Sequence, residues 1–444
     1  MDYSKFESLI CETYPVEKNL FNNLDVKRGL RNSDGSGVLA GLTRVSSVIG
    51  YKKGDKGIIP VEGVLRYRGI DINDIVNALV NENRDGFEEV SYLLLFGKLP
   101  TTNELESFKQ LLDEYLQLPE GFEELILRKS TSKDVMNKLA RSVLALYSYD
   151  DNPDNVELSN SIKQCIELIA RFPSLLAYCY QAVAHYSNNK SLYIHYPDKN
   201  IGVAKNFLRL IRANQKFTEL EARTLDVALV LHAEHGGGNN SSFTSHVVSS
   251  SGTDIYSSTA ASIGSLKGPK HGGASLRVAG MIENIKDNVS RWDNVKDVSE
   301  YVSKILRKET QDKSGLIYGI GHAVYTKSDP RAKILKNYAQ QLAKEKNREK
   351  EFILYDIIET VTPNLFKEIK NSDKVISANV DFYSGFVYNL LEIPPVLNTP
   401  IFAMARVVGW SAHRLEELIV GDRIIRPAYK SVEGEKIYEA LSNR

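Results

Sequence analysis

The stretch Thr101-Thr-Asn-Glu-Leu-Glu-Ser-Phe-Lys-Gln-Leu-Leu-Asp-Glu-Tyr-Leu-Gln-Leu118 sets the fold class. Thr101 with Glu104 three residues on has the form of a capping box, in which the two side chains satisfy free backbone N–H groups at a helix start. Leu105, Phe108, Leu112, Tyr115 and Leu116 then fall on one face, and Pro119 stops the run. The signature recurs. Thr218 with Glu221 opens a helix that carries Leu225, Ala228 and Leu229 toward His232 and His235, and Gly236-Gly237-Gly238 ends it. A third helix begins near Thr399 with Pro400 at its start, and Ile401, Ala405, Val408, Ala412, Leu415 and Ile419 keep the helical period up to Gly421. Strand signals are scarce, the best lying at 45–67, where Lys53-Gly54-Asp55 suits the turn of a short hairpin. The expected class is all-α with a minor β-hairpin.

Working outward, 444 residues allow one to three domains and ample core. Lys+Arg and Asp+Glu are both 56, so the chain lacks the basic excess of a nucleic-acid binder. Apolar residues at 42% and charged residues at 25% argue against general disorder. No run approaches the roughly 18 apolar residues of a membrane span; Ser91–Phe96 is far too short. The N-terminal residues show neither a secretory nor a transit pattern, and Cys11, Cys165 and Cys179 make no framework and no C-x-x-C pair. A cytoplasmic globular protein with no nucleic-acid or membrane partner is expected. Glycine density peaks at 236–238, 264–273, 315–321 and 384–385, and between about 275 and 384 the chain is helical and charged, including the solvated run Lys344–Glu351. A smaller domain entered and left through glycine hinges fits that pattern.

Four of the eight histidines sit beside these glycine clusters: His232, His235, His271 and His322. A lone histidine is usually an ordinary core or surface residue, but flanking glycine lets backbone approach a ligand and bares N–H groups. His232-Ala-Glu-His235 places two imidazoles on one helical face, so zinc is sterically possible. The chain lacks the later Pro-Cys-x-x-Cys of the nucleobase deaminases and also lacks H-E-x-x-H. No phosphate loop and no nucleophile elbow occur, and Gly319-Ile-Gly321 lacks the third glycine of a dinucleotide fingerprint. Ser249-Ser-Ser251 reads as a turn or small-residue face. Arg331 follows the rigid turn Asp329-Pro330, Arg406 lies mid-helix beside an apolar stripe, and Arg426 precedes Pro427. Each alone suits solvated surface; together they suit a polycarboxylate, which arginine grips bidentately.

Four blocks in one register carry a resemblance: Leu231-His-Ala-Glu-His-Gly-Gly-Gly-Asn239, Leu266-Lys-Gly-Pro-Lys-His-Gly-Gly-Ala274, Tyr318-Gly-Ile-Gly-His-Ala-Val-Tyr325 with Asp329-Pro-Arg331, and Asn379-Val-Asp-Phe-Tyr-Ser-Gly385. From about Gly29 to Pro427, including Asp55-Lys-Gly57 and Arg68-Gly-Ile70, the chain resembles citrate synthase. That family implies an almost entirely helical homodimer or hexamer. It implies a large domain (here 1–274 and 385–444, with dimerisation and the oxaloacetate site) and a small mobile domain (275–384, with CoA binding and Asp381). It also implies the tricarboxylic acid cycle reaction: condensation of acetyl-CoA with oxaloacetate, then hydrolysis of citryl-CoA, with no metal and no permanently bound cofactor. By the same resemblance His271 bonds the thioester oxygen, Asp381 removes the methyl proton and His322 polarises the oxaloacetate carbonyl. His235, Arg331 and Arg406 hold oxaloacetate, Arg426 does so from the partner subunit, Tyr318, Gly319, Ile320 and Gly321 wrap the CoA adenine, and Lys327 meets a phosphate.

The chain departs from the family pattern in places. Gly236 stands where an acid usually follows the histidine, and Glu234 precedes it. Lys270 replaces a leucine, with a role either in meeting CoA phosphate, in lowering the pKa of His271, or merely in solvent. His235, at a helix C-terminus, is expected to favour imidazolium. Phe6, Leu9, Ile10 and Leu20 are expected to pack an N-terminal helical segment on the body, which does not resemble the small β domain of NADH-inhibited hexamers, so a dimer is favoured. The competing readings are 2-methylcitrate synthase, which takes propionyl-CoA, citryl-CoA cleavage on the same fold, and a silent CoA-binding relative. One methylene is worth only about 1–3 kcal/mol in a pocket, so the motifs do not separate the first from citrate synthase.

Overall fold

The computed structural model describes residues 2–54, 57–127, 132–322 and 324–444. It is mainly α-helical with one small antiparallel sheet. No helix among the described residues is long and apolar enough to cross a membrane. The chain divides into two compact units. One comprises residues 1–40 and 425–444. Its helices Ser4–Thr13 and Lys18–Asn23 bury no residue, and Phe6, Leu9 and Ile10 are exposed rather than packed as their spacing suggests.

The other unit, Gly41–Ile424, contains the core. The helix Asn398–Val420 is its hub, packed against Phe87–Phe96, Leu158–Asn188, Glu219–His232, Asn240–Ser249 and Ile255–Lys267. Surrounded on all sides, it buries residues of every face, including Arg406, His413 and Arg414. Ile401, Met404, Ala405, Val407, Val408, Trp410 and Ala412 are accordingly all buried. The helical period ends before its last turn, because Ile419 runs past the core and is 64% exposed. The Thr101 capping box forms as read, but the helix stops at Glu114, with Tyr115 as its C-cap; Leu116 and Leu118 are buried from the following loop.

The hairpin at 45–67 is also present. Strand β1 (Ser46–Gly54) pairs antiparallel with β2 (Gly57–Tyr67), and the turn residue Asp55 lies outside the described residues. A third strand, β3 (Ile70–Asp71), is too short to be legible from alternation. It follows a two-residue turn in which Arg68 (φ 47°) and Gly69 (φ 90°) both take the left-handed conformation that such tight hairpins require. The sheet braces the segment after His322. A Cβ on Gly50 would lie 2.3 Å from the Val324 carbonyl oxygen, and one on Gly63 would lie 2.1 Å from that of Ser328.

The charged run Lys344–Glu351 does more than face solvent. Lys346 pairs with Glu221 at 2.5 Å, Glu351 pairs with Lys286 at 2.6 Å, and Arg348 bonds both Glu351 and Asn389. Burial alone would raise the Glu221 carboxyl, but Arg212, Lys346 and the Thr218 N–H hold it down at about 2. A lowered carboxyl pKa contributes stability above its unfolded value, lost as pH falls toward the folded one. Glu221→Gln is therefore expected to destabilise the chain by about 1–3 kcal/mol at neutral pH, and by less as pH drops below 4, read from urea midpoints.

Candidate active site

The helix Glu219–His232 opens on the Thr218–Glu221 capping box and ends at His232, so His235 stands three residues beyond it in a buried loop. There its ring meets His322 edge-on at 5.4 Å and Tyr325 at 5.4 Å between centroids. Burial, with Arg331, His322, Arg406 and His271 around it, holds its pKa well below the ordinary value. The sequence expectation of an imidazolium is overturned, because desolvation and neighbouring guanidinium groups outweigh a helix end that His235 does not occupy. Gly236 has φ +89°, and a Cβ there would lie 3.2 Å from the Val48 side chain. Its N–H bonds Ser46 Oγ and the Glu234 carboxylate, so the acid that fixes this loop is Glu234. Glu234 is fully buried and accepts from Ser46 Oγ and His413 Nε2, both at 2.9 Å. Burial would raise it; His413, Arg406 and Ser46 bring it to about 2.

Arg406 extends from the hub helix into the same place. It is fully buried, its Nε donates to the His232 carbonyl at 2.7 Å, and it lies 4.9 Å over the Phe402 ring. Burial brings its pKa down to about 10, with Glu234 and Tyr67 opposing. Both of its terminal nitrogens are buried without a hydrogen-bond partner, as are His235 Nε2, both ring nitrogens of His232 and the Tyr388 hydroxyl. Buried polar groups are rarely left so. Arg331 is also buried, at the first turn of Pro330–Glu345, but Asp329 already holds its Nε at 3.0 Å and Nη2 at 2.8 Å.

Asp381 starts the helix Val380–Leu390. Asn379 caps that helix, accepting the Asp381 N–H at 2.9 Å, while its Nδ2 donates to the Gly321 carbonyl at 2.7 Å. The Asn379 N–H bonds the Gly319 carbonyl and the Gly321 N–H bonds that of Ser377. One short antiparallel bridge, Ile320 to Ala378, therefore links the Tyr318–Gly321 segment to the base of the Asp381 helix. Gly319 is demanded by close approach: its φ is +82° and a Cβ would meet Phe382 at 2.9 Å. Burial raises the Asp381 carboxyl to about 6; Arg331 opposes and Asp329 adds to the rise.

His322 Nδ1 accepts two backbone N–H bonds, from Val324 and Tyr325, each 3.0 Å, which leaves the proton of the neutral ring on Nε2. His271 Nε2 lies 3.2 Å from Ser241 Oγ, which also accepts from Trp410 Nε1 at 3.1 Å and donates its proton to Asn239 Oδ1 at 2.9 Å. Burial, then Arg406, lower His271 to about 4, so it is neutral at physiological pH. Lys270 is exposed and takes no part in that shift, so lowering the His271 pKa is not its role. Lys327 is exposed and paired with Glu62 at 3.3 Å, and Arg426 is exposed in the terminal unit. Ser241 and His413 join the site without any sequence signal that marks them for it, while Asn379 and Glu234 stand within the quoted blocks with no role read for them.

The family model described as citrate synthase, C-terminal domain, matches residues 34–428. Citrate synthase of Haloferax volcanii is 34% identical over 418 residues, covering 93% of this chain and 97% of the relative. The 2-methylcitrate synthase of Shewanella oneidensis is 33% identical over 386 residues, 86% and 92% of the two chains. Among solved structures, the ternary complex of Thermoplasma acidophilum citrate synthase with carboxymethyl coenzyme A and oxaloacetate superposes with a TM-score of 0.76 at 26% identity, covering 94% of this chain and 99% of that one.

Proposed function

The chain belongs to the citrate synthase family, and on that premise we propose that it condenses oxaloacetate with acetyl-CoA and hydrolyses the resulting citryl thioester to citrate and free CoA. The observation that carries this reading is the unpartnered pair of Arg406 nitrogens beside His235 Nε2, all buried. A planar cationic fork held dry matches a carboxylate bidentately and binds one far more strongly than a surface arginine does. His235, Arg331 and Arg406 take the oxaloacetate carboxylates, with Arg331 offering what Asp329 leaves free. The catalytic residues are His271, His322 and Asp381. A thioester methyl is a weak acid, so Asp381 removes its proton only while a donor stabilises the developing enolate oxygen. His271 supplies that donor, and the enol carbon attacks the keto carbon of oxaloacetate. His322 then passes its Nε2 proton to the new alkoxide, and water cleaves the thioester. No step is assigned to a metal.

Ser241 decides which nitrogen of His271 carries the proton. As it stands the hydroxyl donates to Asn239 Oδ1 and its oxygen faces His271 Nε2 as an acceptor. Turning the hydroxyl to donate to Nε2 moves the His271 proton to Nδ1, the form in which His271 serves as the thioester donor in this reading. Ser241→Ala is expected to lower kcat about fivefold to tenfold, with a smaller change in KM for oxaloacetate, in steady-state kinetics.

Tyr318–Gly321 lines the CoA adenine in this reading, and Lys327 reaches a phosphate after leaving Glu62. The halves 1–274 with 385–444 and 275–384 act as large and small domains. The working form is a homodimer in which each subunit's Arg426 completes the other's site. Support comes from the exposed Phe6 and Leu9 and from Tyr429 and Ile437 near the other terminus, apolar surface of the kind a second chain covers. The tricarboxylic acid cycle in the cytoplasm is the setting this reading implies. Thiol release from acetyl-CoA and from propionyl-CoA, each with oxaloacetate, tests the function. Faster release with acetyl-CoA supports citrate synthesis, faster release with propionyl-CoA assigns 2-methylcitrate synthesis, and none with either refutes both.

A further inference from the structure

We propose that His246, His413 and Glu416 form a binding site for a divalent transition metal of the zinc type, separate from the reacting atoms. His246 lies on the helix Asn240–Ser249, and His413 and Glu416 lie one turn apart on the hub helix packed against it. His246 Nε2 faces His413 Nδ1 at 3.1 Å. The outer nitrogen of each ring is held by a carboxylate: His246 Nδ1 by Glu417 at 2.8 Å and His413 Nε2 by Glu234 at 2.9 Å. A carboxylate only accepts, so each outer nitrogen is an N–H, and the two inner nitrogens are hydrogen-bonded to each other through one shared proton. An imidazole backed by a carboxylate is the arrangement that orients histidine toward a metal.

The third ligand is supplied by Glu416. Its Oε1 accepts the Arg44 N–H at 2.6 Å, while its Oε2 is buried without a hydrogen-bond partner, 3.8 Å from His413 Nδ1. The three ligand atoms lie within 4.8 Å of one another. Around a tetrahedral zinc with bonds near 2.0–2.1 Å, ligand atoms stand about 3.3 Å apart. The two nitrogens already stand 3.1 Å apart, and Glu416 Oε2 has to close in from 3.8 Å on His413. Gly237 keeps the approach clear. A Cβ there would sit 3.5 Å from His246 Nε2 and 3.7 Å from His413 Nδ1, over the pair of nitrogens, although its backbone is one that other residues adopt. That leaves a fourth position for water. Two imidazoles and one carboxylate suit zinc or cobalt better than magnesium or calcium. Coordination replaces the proton shared by the rings and ties both helices, through His413 and Glu234, to the loop carrying His235.

The test is titration of chelator-treated, full-length protein with Co²⁺, followed by visible absorption, and with Zn²⁺ by calorimetry in two buffers of different ionisation enthalpy. One Co²⁺ per chain with the intense bands of a tetrahedral ion is expected, together with proton release on Zn²⁺ uptake. Affinity is expected to fall at least a hundredfold in His246→Ala and about 10–100-fold in Glu417→Gln, which leaves the metal-facing atoms in place. Circular dichroism of each variant controls for folding. No uptake by the parent chain, or uptake unchanged in folded His246→Ala, overturns the proposal.

Discussion

Asp381→Asn is expected to lower kcat by about 10²–10⁴-fold while leaving oxaloacetate affinity within a few-fold of the parent. The substitution preserves shape, and the Asn379 cap accepts a backbone N–H that asparagine keeps, so the helix start survives. What disappears is a carboxylate able to take a proton. On the proposed mechanism the same group is expected to set the acid limb of the pH profile. Its pKa is raised to about 6 by burial, with Asp329 adding and Arg331 opposing. Below that value the carboxyl is protonated and cannot act as base, so kcat/KM falls tenfold per pH unit as pH drops through about 6. Above it the group is ionised and the limb is flat. A bound dicarboxylate adds negative charge and moves the limb of kcat upward, never downward. Stopped assays in overlapping buffers check both statements, and an acid limb near 4 contradicts the assignment.

Arg406→Met carries the second large effect, of a different kind. Oxaloacetate binding is expected to weaken by about 2–5 kcal/mol, roughly 30-fold to several-thousandfold, because a desolvated bidentate partner is lost and a carboxylate is left unmatched. Stability is expected to move the other way or not at all. In the ligand-free chain two guanidinium nitrogens are buried and unpartnered, a cost that methionine removes while still packing on Phe402. Arg406→Lys keeps the charge but not the fork, so it is expected to recover only part of the affinity. Calorimetric titration with oxaloacetate, with thermal unfolding of the unliganded proteins, reads both quantities. Lowered stability with intact binding contradicts the role given to Arg406.

Local signals are legible in the sequence where the chemistry is local. The two capping boxes, the periodic apolar stripe of the helix ending at Val420 and the hairpin at 45–67 each rest on residues a few positions apart, and all of them form. The helix ends are less legible, because tertiary burial of Leu116 and Leu118 mimics a continuing helical face. The histidines stand out because glycine surrounds them. Ser241 and His413 do not, since their meaning lies in partners 30 and 179 residues away, and Asn379, though within a quoted block, bonds a carbonyl 58 residues away. The charge state of His235 is hidden for the same reason: the guanidinium groups of Arg331 and Arg406 reach it only in three dimensions.

The central claim is that this site makes a carbon–carbon bond at a thioester methyl. The most direct measurement is NMR of the purified chain with oxaloacetate and acetyl-CoA labelled with ¹³C at the methyl carbon. The expected result is a labelled citrate methylene growing in step with free thiol, and lost in Asp381→Asn. Thiol release with the label remaining in acetate would mean simple thioester hydrolysis and would contradict the account.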